Sequence, residues 1–258
     1  MKEITVPFNE SDILPYQTVS LVGEKVIAFA PHPDDETIGC GGTISAHCKH
    51  GDRVKVIILT NGDKADTSNS YGREEYVRIR KAEAKKAGVV LGVNDIEFWG
   101  YPDRGLKPDE NLISRLSDLL KDYKPTLIYC PSPTEVHPDH RSTSQAVWET
   151  ILRVKAPPKA AFYELGVPFR PNTLVDITPY IEVKRKAMNT YKSQQAENDY
   201  CNKILGLNKY RTYTLSPQVE YAEGYYIVPS EKISKTPFDT LELCIFQPLP
   251  RVASQTNK

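Results

Sequence analysis

Two short clusters carry the residue types for metal-assisted hydrolysis. Residues 31–36 read Pro-His-Pro-Asp-Asp-Glu and residues 137–141 read His-Pro-Asp-His-Arg. A catalytic zinc needs three protein ligands and one open position for water. His32 and Asp35 can supply two ligands from one tight turn, and His140 can supply the third. His137 and His140 stand three residues apart at a helix start, with Pro138 suited to the first helical position, so both rings share one face and either can ligate. The adjacent Asp34 and Asp35 would repel each other if desolvated and unpaired. A dication beside them keeps both ionised, so that one ligates while the other points at the water in the open position.

The chain holds five histidines. Three fall in these clusters. His47 and His50 lie in the segment AHCKHG, whose spacing fits no standard zinc pattern and reads as a helix end. A lone histidine is more often structural than a ligand; three of them converging with several aspartates on one edge reverse that weighting. Gly39-Cys40-Gly41-Gly42 is not the dinucleotide fingerprint, and the sequence has neither a Walker A loop nor a G-x-S-x-G elbow. These glycines are read as letting the chain turn closely beneath the metal loop.

The elements that must position the clusters alternate. Apolar runs at Lys25–Ala30, Val54–Leu59, Ile96–Trp99 and Thr126–Cys130 are each followed by a helical stretch: Thr37–His50, Glu74–Leu91, Glu110–Tyr123 and Pro138–Leu152. This order predicts an α/β, Rossmann-like three-layer fold with a mostly parallel sheet. In such sheets ligands bind outside the carboxyl ends of the strands. The polar clusters fall there: His32–Glu36, Thr60–Asp63, Tyr101–Gly105 and His137–Arg141. Further on, Ala160–Leu165, Thr173–Ile177 and Tyr225–Val228 read as strands and Pro179–Tyr191 as a helix. The expected organisation is an N-terminal arm over 1–24, one domain over 25–230 and a C-terminal extension over 231–258, its tail PLPRVASQTNK loosely held.

Thirty-three Lys plus Arg balance 33 Asp plus Glu across 258 residues. That neutrality argues against nucleic acid or an anionic membrane as partner. No apolar stretch approaches the ~20 residues of a membrane span. Five cysteines with no C-x-x-C pair argue against a disulfide framework, and with no signal peptide the expectation is a cytoplasmic protein. The sequence leaves homo-oligomer formation open.

Ala30-Pro31-His32-Pro33-Asp34-Asp35-Glu36 with Gly39–Gly42 resembles the first motif of the LmbE-like (PIG-L) N-deacetylases, and His137-Pro138-Asp139-His140 resembles the second. Arg80–Glu83, Leu91–Val93, Pro102–Leu106, Tyr191–Gln194 and Tyr221–Gly224 also match, so the likeness covers about residues 24–228. The resemblance implies a Zn2+ cofactor on His32, Asp35 and His140, with Asp34 as general base. It implies that His137 stabilises the oxyanion or protonates the leaving amine, and that Asp139 orients His137. Such a histidine is expected to be protonated in the reactive form. Arg80 and Asp103 match substrate-contacting positions. The plainer readings are a salt bridge from Arg80 to Glu83 or another carboxylate, a Pro-Asp turn at Asp103 and a helix-start aspartate at Asp139. The implied activity is removal of an acetyl group from an N-acetylated amino sugar or sugar conjugate. An acylamino group on a natural product, or a non-catalytic metal- or sugar-binding module on the same fold, are the alternatives. The sequence departs from the pattern at Asp63, where many members carry glutamate, and in the loop Ser132–Val136, which lacks a tyrosine found in some mycothiol-pathway members.

Overall fold

The computed structural model describes residues 9–66, 70–195 and 199–246. In chain order the elements are β1 (Lys25–Ala30), α1 (Asp35–His50), β2 (Arg53–Thr60), α2 (Arg73–Leu91), β3 (Asp95–Tyr101), α3 (Glu110–Tyr123), β4 (Leu127–Pro131), α4 (Pro138–Leu152), β5 (Lys159–Tyr163), β6 (Thr173–Asp176), α5 (Ile181–Met188), α6 (Lys192–Gln195), α7 (Tyr200–Tyr210), β7 (Ala222–Val228), α8 (Ser230–Ile233) and α9 (Phe238–Phe246). The strands form one sheet in the order β3-β2-β1-β4-β5-β7-β6. Pairing is parallel from β3 to β5, and β7 runs antiparallel to both its neighbours.

Alternation along β1 explains the three layers. Val26, Ala28 and Ala30 enter a core with residues of α1, α2 and α5, whereas Ile27 and Phe29 enter a second core with α3, α4 and α9. Both faces of the strand are therefore apolar, as expected for a parallel sheet covered on both sides. Strand order reverses between β1 and β4, which lie side by side with Ala28 opposite Tyr129. The loops leaving these two strands diverge and open a crevice. His32 follows the first and His137 the second.

Helix α1 passes close beneath that crevice, and its glycines make this possible. A Cβ at Gly39 would lie 2.2 Å from the Tyr163 ring, and one at Gly42 would lie 2.7 Å from Ile177. The helix kinks at Cys40, whose φ and ψ are −139° and 20°. The Glu223 carboxylate satisfies the amides beyond the kink, accepting from Gly42 N and Thr43 N, each at 2.9 Å, and from the Thr43 and Tyr225 hydroxyls. Lys184, also fully buried, donates to Glu223 at 2.7 Å and to Asn208 at 3.0 Å. Burial works against the Glu223 charge, but Lys184 outweighs it and holds the carboxyl below its usual range.

Three elements differ from the sequence expectation. The helix foreseen over Pro179–Tyr191 is shorter, because a single 3-10 turn at Thr178–Tyr180 precedes α5 and Tyr191 lies past its end. Helices α7 and α9 arise where the pattern was loose, and Leu241 and Ile245 of α9 share a core with Trp148. His47 is fully buried between Asp52, at 2.7 Å, and the Tyr129 hydroxyl, at 2.9 Å. The tail from residue 247 lies outside the described residues. Val19 N in the arm donates to Leu174 O, pairing with the β6 edge.

Removing one member of a buried ion pair strands the other's charge. Lys184→Met should therefore cost about 3–5 kcal/mol in denaturant unfolding. Lys184→Met with Glu223→Gln should recover part of that loss. A single variant as stable as the parent would show that the pair does not hold the α1 kink.

Candidate active site

The loop after β1 is strained where the chemistry is expected. Asp34 adopts φ 141° and ψ −27°, a conformation rare for a side-chain-bearing residue and costing roughly 1–3 kcal/mol. Its surroundings enforce it. Arg80, 2 % exposed, donates to Pro33 O at 2.7 Å and Gly62 O at 2.9 Å, and its guanidinium lies 3.0 Å from Asp34 Oδ2. Thr37 N and Ile38 N bond to Asp34 O as α1 begins. Burial pushes the Asp34 carboxyl up to about 7, with Arg80 opposing and Asp35 adding to the rise.

Three donor atoms stand in a small triangle. His32 Nδ1 is 3.1 Å from Asp35 Oδ2 and 3.2 Å from His140 Nε2, and the last two are 3.3 Å apart. Ligand atoms about 2.0–2.2 Å from a tetrahedral zinc are about 3.3–3.5 Å from one another, so the donor set fits that ion. The electrostatics agree. Burial opposes charge on His32, but Asp103, Asp139 and Asp35 hold the ring well above the usual imidazole range. Burial likewise opposes charge on His140, yet chiefly Asp35 raises it to about 9. The cluster calls for positive charge, which a dication supplies in place of protons. Two other groupings also converge within 4.8 Å: His32 with His137 and His140, and His32 with Asp103, His137 and Asp139. In the second of these Asp139 accepts from Arg104 N at 2.6 Å and Leu106 N at 3.2 Å, and Asp103 from Lys64 N at 3.1 Å, as Asp35 Oδ2 accepts from His32 N at 2.8 Å. Its donor spacings are wider, however, with Asp103 Oδ1 3.5 Å from His32 Nε2 and 4.0 Å from His137 Nε2. The triangle is the better fit.

The other face of His32 corrects one expectation. Its Nε2 lies 3.2 Å from the Asp139 carboxylate, so Asp139 orients His32 rather than His137. The loop after β3 causes this, since its amides from Arg104 and Leu106 turn the carboxylate away. His137 instead meets the Asp139 backbone: as N-cap of α4 it accepts from Asp139 N at 3.2 Å through Nδ1. That bond leaves the ring proton on Nε2. Burial first, then the charges of His32 and His140, lower its pKa to about 4. The expected imidazolium is therefore a neutral ring with an Nε2–H donor, 4.0 Å from Asp103 Oδ1.

Asp103 is 5 % exposed, and its Oδ1 is buried without a hydrogen-bond partner. Asp63 accepts from Asp103 N and pairs with Arg73. Late matching segments also meet here: Ser193 bonds to Glu83 at 2.6 Å, and Gln194 to the Tyr76 hydroxyl at 2.6 Å. Arg80 thus pairs with Asp34, not Glu83. Sequence reasoning missed Glu36, whose carboxylate accepts from the Tyr191 hydroxyl at 2.8 Å and from Thr37. Its only signal was the joint presence of the first motif and Tyr191–Gln194. His32, Asp34, Asp35, Arg80, Asp103, His137 and His140 border one cavity of about 520 Å³, which Lys64, Arg104, Leu165, Gln194, Tyr200 and Ile204 also line. Pockets of this size suit a small-molecule ligand.

Comparison with known proteins places this geometry. Diacetylchitobiose deacetylase of Thermococcus kodakarensis is 28% identical over 238 residues, covering 83% of this chain and 87% of that protein. The structure of N,N'-diacetylchitobiose deacetylase from Pyrococcus horikoshii superposes with a TM-score of 0.74 at 28% identity, over 85% of this chain and 89% of that one. A 4-oxalmesaconate hydratase of Pseudomonas putida is 25% identical over 228 residues, covering 78% of this chain and 88% of that protein. Residues 27–151, which run from β1 into α4 and hold both histidine motifs, match the family described as PIG-L, GlcNAc-PI de-N-acetylase. Over that segment, residues 27–151, the chain matches the PIG-L (LmbE-like) family.

Proposed function

We propose that this protein is a zinc-dependent hydrolase that removes the acetyl group from an N-acetylated amino sugar or sugar conjugate, releasing acetate and free amine. The observation that carries the reading is the His32–Asp35–His140 triangle, which borders the same cavity as Asp34 and His137. The deacetylase names of the two most similar relatives described above support the substrate class. We place the reaction in the cytoplasm, in keeping with five free cysteines. Among the described residues no helix is long and apolar enough to cross a membrane.

Zinc held by His32, Asp35 and His140 would supply a Lewis acid for the acetyl carbonyl and lower the pKa of a water there. Asp34 takes the proton from the attacking water, held in place by Arg80. His137 offers its Nε2–H to the carbonyl oxygen as charge develops, acting as a neutral donor. The proton on Asp34 then serves the departing amine. Asp139 keeps His32 in the tautomer that presents Nδ1 to the triangle. Asp103, whose carboxylate lies beside His32 on the cavity wall, accepts from a substrate hydroxyl. Arg80, with both terminal nitrogens committed inward, acts on the sugar only through Asp34.

Zinc-loaded protein incubated with a panel of N-acetylated sugars and conjugates should release equal amounts of amine and acetate. Hydration of an unsaturated acid without deacetylation would turn the reading towards the hydratase relative, and zinc or sugar binding without any turnover would turn it towards a binding module. Release from acylamino natural products alone would move the substrate class.

Replacing His32, Asp35 or His140 by Ala should each reduce zinc content. His137→Ala should keep its zinc and lose turnover by ~10²–10³, the cost of one oxyanion donor. Full zinc in His140→Ala would remove that residue from the set.

Asp34→Asn should bind zinc normally and lose turnover by ~10²–10⁴. Arg80→Met should lower both melting temperature and kcat, because it releases Asp34. A rise in KM alone would return Arg80 to direct substrate contact.

A further inference from the structure

Glu135 has no part in the reaction above, yet it is 1 % exposed and sits two residues before His137. A tight turn carries it: Glu135 N donates to Ser132 O at 3.3 Å, and the Ser132 and Thr134 hydroxyls bond at 2.7 Å. Its carboxylate faces two structures at once. Oε1 accepts from Leu165 N at 3.0 Å and Val167 N at 3.3 Å, and Oε2 accepts from Gly166 N at 3.0 Å. Leu165 and Gly166 line the cavity wall. On its other side, Oε2 is 3.8 Å from His140 Nδ1, a buried nitrogen with no hydrogen-bond partner.

Counting acceptor places makes the arrangement specific. An ionised carboxylate offers about four, two on each oxygen. The wall amides take two on Oε1 and one on Oε2. The remaining place is on the oxygen nearest His140. His140 turns Nε2 to the donor triangle, so as a neutral ligand it carries its proton on Nδ1 and needs an acceptor there.

We propose that Glu135 is a positioning residue that receives the His140 Nδ1–H when that ring ligates through Nε2, and that the same carboxylate fixes the Leu165–Val167 wall of the substrate cavity. This rests on the zinc reading above. It ties the metal ligand to the wall, so the spacing between the acetyl carbonyl and the sugar subsite is set by one side chain. Glutamine cannot replace it. Its amino group would confront either the two amides at Oε1 or the Gly166 amide together with the His140 proton.

The test is the zinc dissociation constant of the protein, measured by competition with a chelator, beside the melting temperature of the zinc-free form. Glu135→Gln should bind zinc ~10–100-fold more weakly than the parent, the usual effect of losing such a partner. A folded Glu135→Gln with parental zinc affinity overturns the proposal, even if its melting temperature falls, because wall packing alone would do that. Should the Gln variant fail to fold, Glu135→Asp serves: it keeps the charge but is one methylene shorter, and it should weaken zinc in the same direction. Parental affinity in Glu135→Asp also overturns the proposal. A parent protein that binds no zinc overturns the metal reading itself.

Discussion

Burial of like charge in one small volume is the constraint on which this structure turns. Asp34, Asp35, Asp103 and Asp139 are all at most 6 % exposed and all adjoin His32, His137 or Arg80. Desolvated carboxylates are stable only when cations or donors face them. Asp34 has Arg80, Asp139 has two amides and His32, and Asp103 has an amide and the edge of His32. Asp35 has the His32 amide and the two imidazoles of the triangle. A divalent ion there satisfies Asp35 and lets both rings be neutral, which is why the site makes chemical sense as a metal centre.

The scaffold accepts several local costs to build that centre. Asp34 stands at a positive φ, α1 is kinked, and a lysine and a glutamate are buried beneath it. Each has an identifiable compensation: Arg80 on the Pro33 carbonyl, Glu223 on the freed amides, Lys184 on Glu223. The strain is concentrated where the β1 loop must turn two adjacent carboxylates in different directions, Asp35 towards the triangle and Asp34 towards Arg80.

Much of this was legible in the sequence because both motifs are contiguous and follow apolar strand runs. The parallel sheet, its active edge and the convergence of His32, Asp35 and His140 all follow from that placement. What was not legible depends on contacts between distant segments. Asp139 faces His32 because the β3 loop supplies the Arg104 and Leu106 amides, and no spacing near Asp139 encodes this. His137 is held neutral by burial and by the charges of His32 and His140, which come from distant segments, and its capping of α4 fixes the tautomer, a role the His-Pro-Asp order permits but does not require. Lys184 and Glu223 lie 39 residues apart and read separately as ordinary surface charges. Helix α9 reads FDTLELCIF, with Leu241 and Ile245 inward but Leu243 and Phe246 exposed, so its apolar pattern has no single face to betray it.

The central claim is that the ion sits on one particular set of atoms. Crystals of zinc-loaded protein, with anomalous differences collected on both sides of the zinc absorption edge, test it most directly. The account predicts one strong peak per chain bonded to His32 Nδ1, Asp35 and His140 Nε2 at about 2.0–2.2 Å, with His137, Asp103 and Asp139 outside bonding distance. A peak on His137, or one lying between Asp103 and Asp139 on the Nε2 side of His32, would contradict it.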